Sequence, residues 1–356
     1  MTCIIAEAGV NHNGSAEMAL KLVDAAAEAG ADAVKFQTFR ADRLAGRGAP
    51  KAEYQKKATG GGEDQLRMLS GLEISRDTHE ALLARCRSRG IQFLSSPFDE
   101  ESLDLLTDGL GLRTVKFASG EITNGPLLLR AAGKGVSLIL STGMSTLGEV
   151  EEALSCLAFG FTAAAGVPPS REGFLRAYAS PEGRRALSEK VILLHCTTEY
   201  PAPATEVNLR GMGVLRDAFG LPAGYSDHTE GIAVSIAAAA LGAAVIEKHF
   251  TLDRTLPGPD HRASLEPAEL RAMVRAVRDV EAALGDGLKV PSPSEWGNRD
   301  VARKSLVASR PVAEGEEFTA DNLAAKRPGG GRSPMDFWSL LGTRAPKSLG
   351  KDEMVP

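Results

Sequence analysis

Two short β-rich runs end in ionisable residues at positions where a buried strand would normally stay apolar. In "AVIEKHF" (244–250), Glu247 and His249 follow three apolar residues, and "AGYSDHT" (223–229) carries His228 near its end. Charged groups in such positions are costly to desolvate unless something there uses them. A single histidine on a strand is more often a core residue than a ligand, but two imidazoles on neighbouring strand ends can reach one ion. Imidazole with open coordination positions suits a divalent Mn, Co, Zn or Mg ion that acts as a Lewis acid.

A second set of residues at the ends of such runs has the chemistry of an anion site. Lysine ammonium groups and hydroxyls together can bind a phosphate and a carboxylate. The lysines could equally pair with carboxylates, and the two interpretations are compatible because lysines near an anion site pair with carboxylates until a ligand arrives. The set consists of Lys35, Ser96, Lys116, Ser119, Ser141, Thr198 and Ser226, and the candidate carboxylates are Glu7, Glu121 and Glu247.

These residues are distributed over eight β-rich runs separated by helix-patterned segments. One such segment, "SAEMALKLVDAAAEAG" (15–30), has Ser15 as an expected N-cap and Gly30 as its expected stop. Strand–helix alternation repeated eight times predicts an α/β fold, a (β/α)₈ TIM barrel. The runs are "CIIAEAG" (3–9), "AVKFQTF" (33–39), "QFLSSPF" (92–98), "TVKFASG" (114–120), "SLILSTGM" (137–144), "VILLHCT" (191–197), "AGYSDHT" (223–229) and "AVIEKHF" (244–250).

The barrel prediction explains why polar residues follow the apolar ones. In such barrels the active site lies at the C-terminal rim of the strands. Because side chains alternate along a strand, Lys35 and Gln37 share one face, as do Glu247 and His249, and both faces can point into the barrel mouth. By contrast, we interpret His195 as structural and expect His79 at the surface.

The character of the amino-acid sequence changes after the predicted barrel. We assign residues 1–284 to the barrel, residues 285–301 to a polar, proline-containing linker, and residues 302–356 to a small β-rich module. A module of this size is rarely robust alone, so we expect it to pack on something. Residues 161–190 form a long connection between the fifth and sixth strands, which we interpret as a helical excursion on the surface.

Composition excludes several classes of function. The 356 residues have a net charge of −5 and no basic tract, which argues against binding to nucleic acid or an anionic membrane. No apolar run is long enough to span a bilayer, and the N-terminus does not have the pattern of a secretion signal. The four cysteines fall at no metal-ligand spacing, so we expect reduced thiols in a cytoplasmic protein.

Several stretches together resemble the sialic acid synthases, the N-acetylneuraminate synthase family. They are "IAEAGVNHNG", "ADAVKFQTF", "VKFASGEITN", "ILSTGM", "LLHCTTEYPAP", "GYSDHTEG" and "VIEKHFTLDRTLPGPDH". The tail "NLAAKRPGGGRSP" resembles the C-terminal antifreeze-like domain of that family, a SAF domain with a β-clip fold. The similarity runs in the expected order from about residue 4 to 345, although Arg332 and Thr198 depart from residues found in some relatives.

The resemblance implies an activity: condensation of phosphoenolpyruvate with N-acetylmannosamine, giving N-acetylneuraminate and phosphate. It implies a divalent metal, usually Mn²⁺ with Mg²⁺ or Co²⁺ possible, held by His228 and His249. Glu121 would position or deprotonate water, and Glu7 and Glu247 would lie beside the reacting groups. By the same resemblance, phosphoenolpyruvate would be bound by Lys35, Ser96, Lys116, Ser119, Ser141, Thr198 and Ser226, and the sugar by Gln37, Tyr200, Asp260 and Arg327.

The resemblance also implies a homodimer. Arg327, in "KRPG", would reach the N-acetyl group of the sugar bound to a second subunit, so that the antifreeze-like domain is swapped between subunits.

Two alternatives to N-acetylneuraminate synthesis remain open at this point. A legionaminate or pseudaminate synthase acting on a 6-deoxy diacetamido sugar would need only small changes in the sugar pocket. A non-catalytic binding protein built on the antifreeze-like module is disfavoured, because two histidines, three glutamates and two lysines of the expected site are all present.

Overall fold

The structure is a computed structural model of the chain that describes every residue except Gly61, Glu63 and Ala165 and the side chain of Lys57. The chain divides into two compact units, Met1–Gly285 and Asp286–Pro356. Among the described residues, no helix combines the length and the apolar character that a bilayer crossing requires.

The first unit contains eight parallel strands in its described residues. Their bounds are β1 Cys3–Gly9, β2 Ala33–Thr38, β3 Gln92–Pro97, β4 Thr114–Phe117, β5 Ser137–Ser141, β6 Val191–His195, β7 Ala223–Asp227 and β8 Val245–His249. The hydrogen-bonded order is β3-β2-β1-β8-β7-β6-β5-β4. Because β1 pairs with β8, the sheet curls into a barrel that is closed except between β3 and β4. The prediction of a (β/α)₈ barrel is confirmed.

Helices surround these strands as the alternation predicts. The first helix has the predicted ends: Ser15 Oγ accepts a hydrogen bond from Met18 N at 3.2 Å, and Gly30 adopts φ 84°. The helices of this unit are α1 Ala16–Ala29, α2 Ala41–Leu44, α3 Glu53–Thr59, α4 Gln65–Ser70, α5 Arg76–Arg89, α6 Glu100–Asp104, α7 Gly125–Gly133, α8 Leu147–Thr162, α9 Arg171–Ala179, α10 Pro181–Lys190, α11 Gly211–Phe219, α12 Ala233–Ala240 and α13 Pro267–Leu284.

The excursion between β5 and β6 contains two extra helices, α9 and α10. No residue of α9 is buried in this described stretch of chain, which confirms a helical excursion on the surface. A second excursion, between β2 and β3, contains α2, α3 and α4 and packs over its own small apolar cluster around Met68 and Leu69.

The barrel interior is layered, and the layering positions the candidate site. A lower layer is apolar and consists of Ile5, Ala33, Leu94, Ile139, Leu194 and Val245. Two residues further along the same strands come Glu7, Lys35, Ser96, Ser141 and Glu247, all buried. Because side chains alternate along a strand, residues two apart share a face, so these polar groups lie one layer above an apolar plug.

The second unit has a core of its own. Its elements are α14 Trp296–Ala302, β9 Ser305–Ala308, β10 Leu323–Lys326 and α15 Phe337–Leu340, with β9 and β10 antiparallel. Leu306, Phe318, Leu340 and Leu349 are among the residues buried there. The predicted linker is partly helical, because α14 begins within residues 285–301.

Candidate active site

Four charged side chains from four different strands meet inside the barrel mouth. Lys35 Nζ lies 2.7 Å from Glu7 Oε2 and 3.6 Å from Glu247 Oε2, while Lys116 Nζ lies 3.1 Å from Glu247 Oε1. None of these side chains is more than 8% exposed. Glu247 therefore contacts both lysines and Lys35 contacts both carboxylates, so the two lysines and two carboxylates form one connected network.

Polar neighbours extend this cluster around the rim. Lys35 Nζ donates to Ser96 Oγ at 3.2 Å, and Gln37 Nε2 donates to Glu7 Oε1 at 3.4 Å. Ser226 Oγ donates to Glu247 Oε1 at 2.9 Å. The structure thus brings together the lysines, the two carboxylates, Ser96, Gln37 and Ser226, as the sequence predicts.

The pKa values of the two carboxylates, Glu7 and Glu247, are shifted in opposite directions. Burial raises the pKa of Glu7 to about 7, although Lys35 opposes this change. Burial also favours a higher pKa for Glu247, but Lys116 and Lys35 outweigh it and lower that pKa to about 2. The Lys116 charge is disfavoured by burial, yet Glu247 and Glu7 together raise its pKa. The cluster therefore holds Lys116 charged beside one firmly ionised carboxylate, an arrangement that suits an anionic ligand.

The two predicted histidines lie beside this cluster. The His228 and His249 rings are 5.7 Å apart between centroids, and both rings are buried. His228 Nδ1 lies 2.6 Å from Thr197 O, and since a carbonyl oxygen only accepts, Nδ1 donates and Nε2 keeps its lone pair. His249 Nδ1 is buried and has no hydrogen-bond partner among the described residues; Asp260 Oδ2 is 3.9 Å away.

Burial makes both imidazoles neutral. It lowers the pKa of His228 to about 4 and lowers the pKa of His249 well below its ordinary value. A neutral imidazole with a free lone pair is the form that binds a metal ion. No group of three or more His, Cys, Asp or Glu side chains in the described part of the chain is arranged to hold a metal. His228 and His249 are residues at the mouth whose chemistry would suit a divalent ion.

Aromatic rings line the next part of the mouth. The Tyr200 ring lies 4.2 Å from the His228 ring and 5.5 Å from the His249 ring, between centroids. Tyr54, from α3, lies 4.8 Å from Tyr200 on the other side. Asp260 is buried nearby, and burial raises its pKa to about 6. Of the predicted sugar-binding residues, Gln37, Tyr200 and Asp260 thus lie at one mouth.

Gly143, just after β5, is surrounded by polar atoms of the predicted anion site. A Cβ added at this residue would lie 2.3 Å from Thr198 Oγ1, 2.8 Å from Ser119 Oγ and 2.9 Å from Cys196 Sγ. Gly143 N also donates to Ser119 Oγ at 3.0 Å. Thr198 Oγ1 and Ser141 Oγ are buried without a hydrogen-bond partner in the described structure, so both hydroxyls are available to a ligand.

Glu121 stands somewhat apart from the charged cluster. It lies in the 3₁₀ turn Ser119–Glu121 after β4, and Asn124 Nδ2 donates to its Oε2 at 2.7 Å. Burial raises the pKa of Glu121, and the negative charge of Asp99 adds to this effect while the bond from Asn124 opposes it. Within the described residues, no hydrogen bond or ion pair joins Glu121 to Glu7 or Glu247.

A cavity of about 690 Å³ lies beside the anion end of the site. It is lined by residues of the loops after β5 and β6, among them Met144, Thr198, Glu199 and Asn208. Arg327 is an exposed residue of the second unit, directly after β10.

Comparison with known proteins places this arrangement in a family. The profile described as the NeuB family matches residues 22–289, and the profile of the SAF domain matches residues 303–356. The chain belongs to the NeuB family. The resemblance seen in the sequence is thereby confirmed, together with the SAF domain at the C-terminus.

Individual relatives of this NeuB-family chain match along almost its whole length. An N,N'-diacetyllegionaminic acid synthase of Campylobacter jejuni is 48% identical and covers 99% of this chain and 98% of its own length. A protein with the same description from Legionella pneumophila is 45% identical, covering 98% of this chain and 92% of its own. Among solved structures, an N-acetylneuraminic acid (sialic acid) synthetase of Leptospira borgpetersenii is 34% identical with a TM-score of 0.67, covering 83% of this chain and 90% of its own.

Four contacts of this NeuB-family site were not anticipated from the sequence. Tyr54 packs on Tyr200, Asn124 bonds to Glu121, and Cys196 Sγ lies 3.2 Å from Ser119 Oγ. A buried pair, Asp227 and Lys248, joins β7 to β8 on the face opposite the histidines. The first, the third and the fourth link residues distant in sequence, so they depend on tertiary structure and leave no local signal. Asn124 lies only three residues after Glu121, so the sequence itself brings this second pair close.

Proposed function

We propose that this chain condenses phosphoenolpyruvate with a 6-deoxy diacetamido sugar, giving N,N'-diacetyllegionaminate and phosphate. The observation that carries the reaction class is the buried cluster of two lysines, two carboxylates and two neutral histidines at the barrel rim of a NeuB-family chain. Identity carries the choice of sugar: 48% to a legionaminic acid synthase against 34% to a solved sialic acid synthetase. The N-acetylmannosamine reading, which the sequence motifs favoured, therefore becomes the second candidate.

The anion end supports phosphoenolpyruvate as one substrate. Lys35 and Lys116 both contact the firmly ionised Glu247, and Lys35 also contacts Glu7, so a phosphate or carboxylate group would be attracted by two ammonium groups at once. The hydroxyls of Ser141 and Thr198, which have no partner among the described residues, would donate hydrogen bonds to the same ligand, as would Ser119 beside Gly143. Ser96 and Ser226, bonded to the lysine–carboxylate cluster, would orient it.

A divalent ion, most simply Mn²⁺, would be held by His228 and His249. The fit rests on the neutral rings, the unpartnered Nδ1 of His249, and the bond from His228 Nδ1 to Thr197 O that fixes the tautomer. When bound, such an ion supplies a Lewis acid for the carbonyl group of the open-chain sugar.

The proposed reaction forms one carbon–carbon bond and breaks one carbon–oxygen bond. C3 of phosphoenolpyruvate attacks the aldehyde carbon of the sugar, and the aldehyde oxygen takes up a proton to become a hydroxyl. The cationic centre left at C2 adds water, which loses a proton. The hydroxyl at the resulting tetrahedral carbon passes its proton to the departing phosphate as the carbon–oxygen bond breaks, and the carbon becomes the ketone of the product.

The chain's own side chains would assist these steps by holding charge and protons. Glu121 would accept the proton of the attacking water, and its raised pKa makes it a stronger base than an ordinary glutamate. Glu7, with a pKa of about 7, would hold or release a proton beside the reacting groups. Glu247 would stay ionised between the two lysines.

The sugar would lie over the aromatic side of the mouth. Tyr200 offers a ring face, and Gln37 and Asp260 offer hydrogen-bonding groups to hydroxyls. We further propose a homodimer in which Arg327 of one subunit reaches the acetamido group of the sugar in the other. A reducing, cytoplasmic setting accords with four free cysteines.

One assay separates the candidates. Purified protein is incubated with phosphoenolpyruvate, Mn²⁺ and, in parallel, N-acetylmannosamine and the 6-deoxy diacetamido precursors of legionaminate and pseudaminate, and phosphate release is measured. The proposal expects the highest kcat/KM for the legionaminate precursor. A higher kcat/KM for N-acetylmannosamine would instead support N-acetylneuraminate synthesis. If none of the three sugars led to phosphate release, the proposed reaction would be refuted.

A further inference from the structure

A buried ion pair joins β7 and β8 on the side of the sheet that faces the helices. Lys248 Nζ lies 3.1 Å from Asp227 Oδ2, and the two side chains are 1% and 0% exposed. Neither residue can touch a ligand in the barrel, because alternation directs Ser226, Glu247 and His249 inward and directs Asp227 and Lys248 to the opposite face.

The pair occupies a particular place in the strand register. Asp227 and Lys248 are direct partners in the parallel ladder between β7 and β8. The residue that follows each member of the pair is a histidine: His228 follows Asp227, and His249 follows Lys248. The ion pair therefore lies one rung below the two imidazoles, and a slip of either strand would separate them.

The pair also makes hydrogen bonds to Thr229, the residue after His228, and to a helix. Asp227 Oδ1 accepts from Thr229 N at 2.9 Å and from Thr229 Oγ1 at 2.7 Å, while Lys248 Nζ donates to Thr229 O. Ser235 Oγ, on α12, donates to Asp227 Oδ2 at 2.6 Å. The backbone on both sides of His228 is thus tied to β8 and to a helix, and its ring is tied to Thr197 O.

A buried ion pair of this kind is a weak source of stability, because desolvation of two charges offsets most of their attraction. Its best-supported use is to fix one arrangement among several, and here the arrangement that it fixes is the spacing of the two histidines. We propose that Asp227 and Lys248 are positioning residues that hold His228 and His249 at metal-binding distance. This inference rests on the metal site of the proposed function.

The test replaces the pair without leaving a lone buried charge. Asp227→Asn combined with Lys248→Met keeps an oxygen acceptor for Thr229 and removes both charges. We expect the dissociation constant for Mn²⁺ alone, measured from free Mn²⁺ by electron paramagnetic resonance, to rise about 10–100-fold. Ser235→Ala, which removes a single bond to Asp227, should raise it about twofold to tenfold and serves if the double variant does not fold.

A second ion pair at the other end of the barrel provides the matched control. Arg278 Nη2 lies 2.6 Å from Asp32 Oδ2, which also accepts from Ile4 N. Asp32→Asn combined with Arg278→Met removes the same charges far from the histidines, so Mn²⁺ affinity should stay within about twofold of native whatever the melting temperature does.

The outcomes separate this inference from the proposed function. Native Mn²⁺ affinity in the folded Asp227→Asn, Lys248→Met protein, or in Ser235→Ala if that protein does not fold, would overturn the inference alone. Equal weakening of Mn²⁺ binding in the Asp32→Asn, Arg278→Met control would also overturn the inference, since the effect on affinity would then be general. A native protein that binds no divalent ion would refute the metal site and this inference together, without touching the assignment of phosphoenolpyruvate to the lysines.

Discussion

The two ends of the barrel handle charge in opposite ways. At the base, the Arg278 guanidinium donates to Thr2 O at 2.7 Å and serves two carboxylates, Asp32 at 2.6 Å and Glu281 at 2.9 Å. At the rim, two lysines lie among two carboxylates, and within the described residues His249 Nδ1, Ser141 Oγ and Thr198 Oγ1 are buried without hydrogen-bond partners. A buried polar atom without a partner is costly, so the rim offers polar groups that a ligand could satisfy.

The largest effect should come from the histidines at the rim. His249→Ala removes one of the two imidazoles, and we expect turnover to fall by several orders of magnitude because a Lewis acid contributes several kcal/mol. His79→Gln is the control: His79 lies on α5 and bonds to Thr38 Oγ1 at 2.8 Å and to Ser75 O at 2.9 Å, outside the charged cluster, so the activity of this variant should stay near native. The measurement is phosphate release, and full activity in protein shown to be free of metal after EDTA treatment would contradict the metal site.

A smaller but still large effect is expected at Glu121. Glu121→Gln keeps the shape of the side chain and removes the proton acceptor, so kcat should fall roughly 10²–10⁴-fold while phosphoenolpyruvate still binds. Glu152→Gln alters an exposed carboxylate on α8 and should leave kcat unchanged. Normal turnover by Glu121→Gln would show that another group directs the water.

The comparison between rim and base is tested directly by removing one cation from each end. Lys35→Met should weaken phosphoenolpyruvate binding by roughly a hundredfold, because a charged donor in a buried site is lost. Arg278→Met should instead lower the free energy of unfolding by about 1 kcal/mol and leave that affinity unchanged. Calorimetric titration and denaturant unfolding of both variants measure the two effects, and a reversed pattern would break the distinction between the ends.

The smallest effect concerns Arg327. In the proposed dimer, the Arg327 guanidinium donates a hydrogen bond to a neutral acetamido group. Arg327→Ala removes this charged-donor bond, which contributes about 1.5–3 kcal/mol, so kcat/KM for the sugar should fall roughly tenfold to a hundredfold. The KM for phosphoenolpyruvate should change little.

Mixing subunits tests the swapped arrangement. A heterodimer of Arg327→Ala and His249→Ala chains would contain one barrel with intact histidines that receives an intact Arg327, so some activity should return. Heterodimers verified by mass that regain no activity would rule out a swap between subunits.

Local signals explain why so much of the fold was predictable. Eight β-rich runs, Ser15 at a helix start and Gly30 at its end each act within a few residues, so the chain displays them without its tertiary structure. The residues of the charged cluster were predictable because strand ends in such a barrel converge at one rim.

Contacts between distant segments explain the failures. His79 was expected at the surface, but it is fully buried on α5, where its ring bonds to Thr38 Oγ1 at 2.8 Å and to Ser75 O at 2.9 Å. Those bonds make a buried histidine acceptable, and the one to Thr38 spans 41 residues. The register that opposes Asp227 to Lys248 likewise exists only once two strands have paired.

The crowding around Gly143 limits how this enzyme could be redesigned. A Cβ at this residue would lie 2.3 Å from Thr198 Oγ1 and 2.8 Å from Ser119 Oγ, so a side chain there would displace two hydroxyls of the proposed anion site. The cavity of about 690 Å³ next to it, bordered by Met144 and Asn208, has free volume that a bulkier acceptor could fill. Libraries aimed at new products should therefore vary Met144 and Asn208 while leaving Gly143 and Thr198 untouched, because Thr198 borders both the glycine and the cavity.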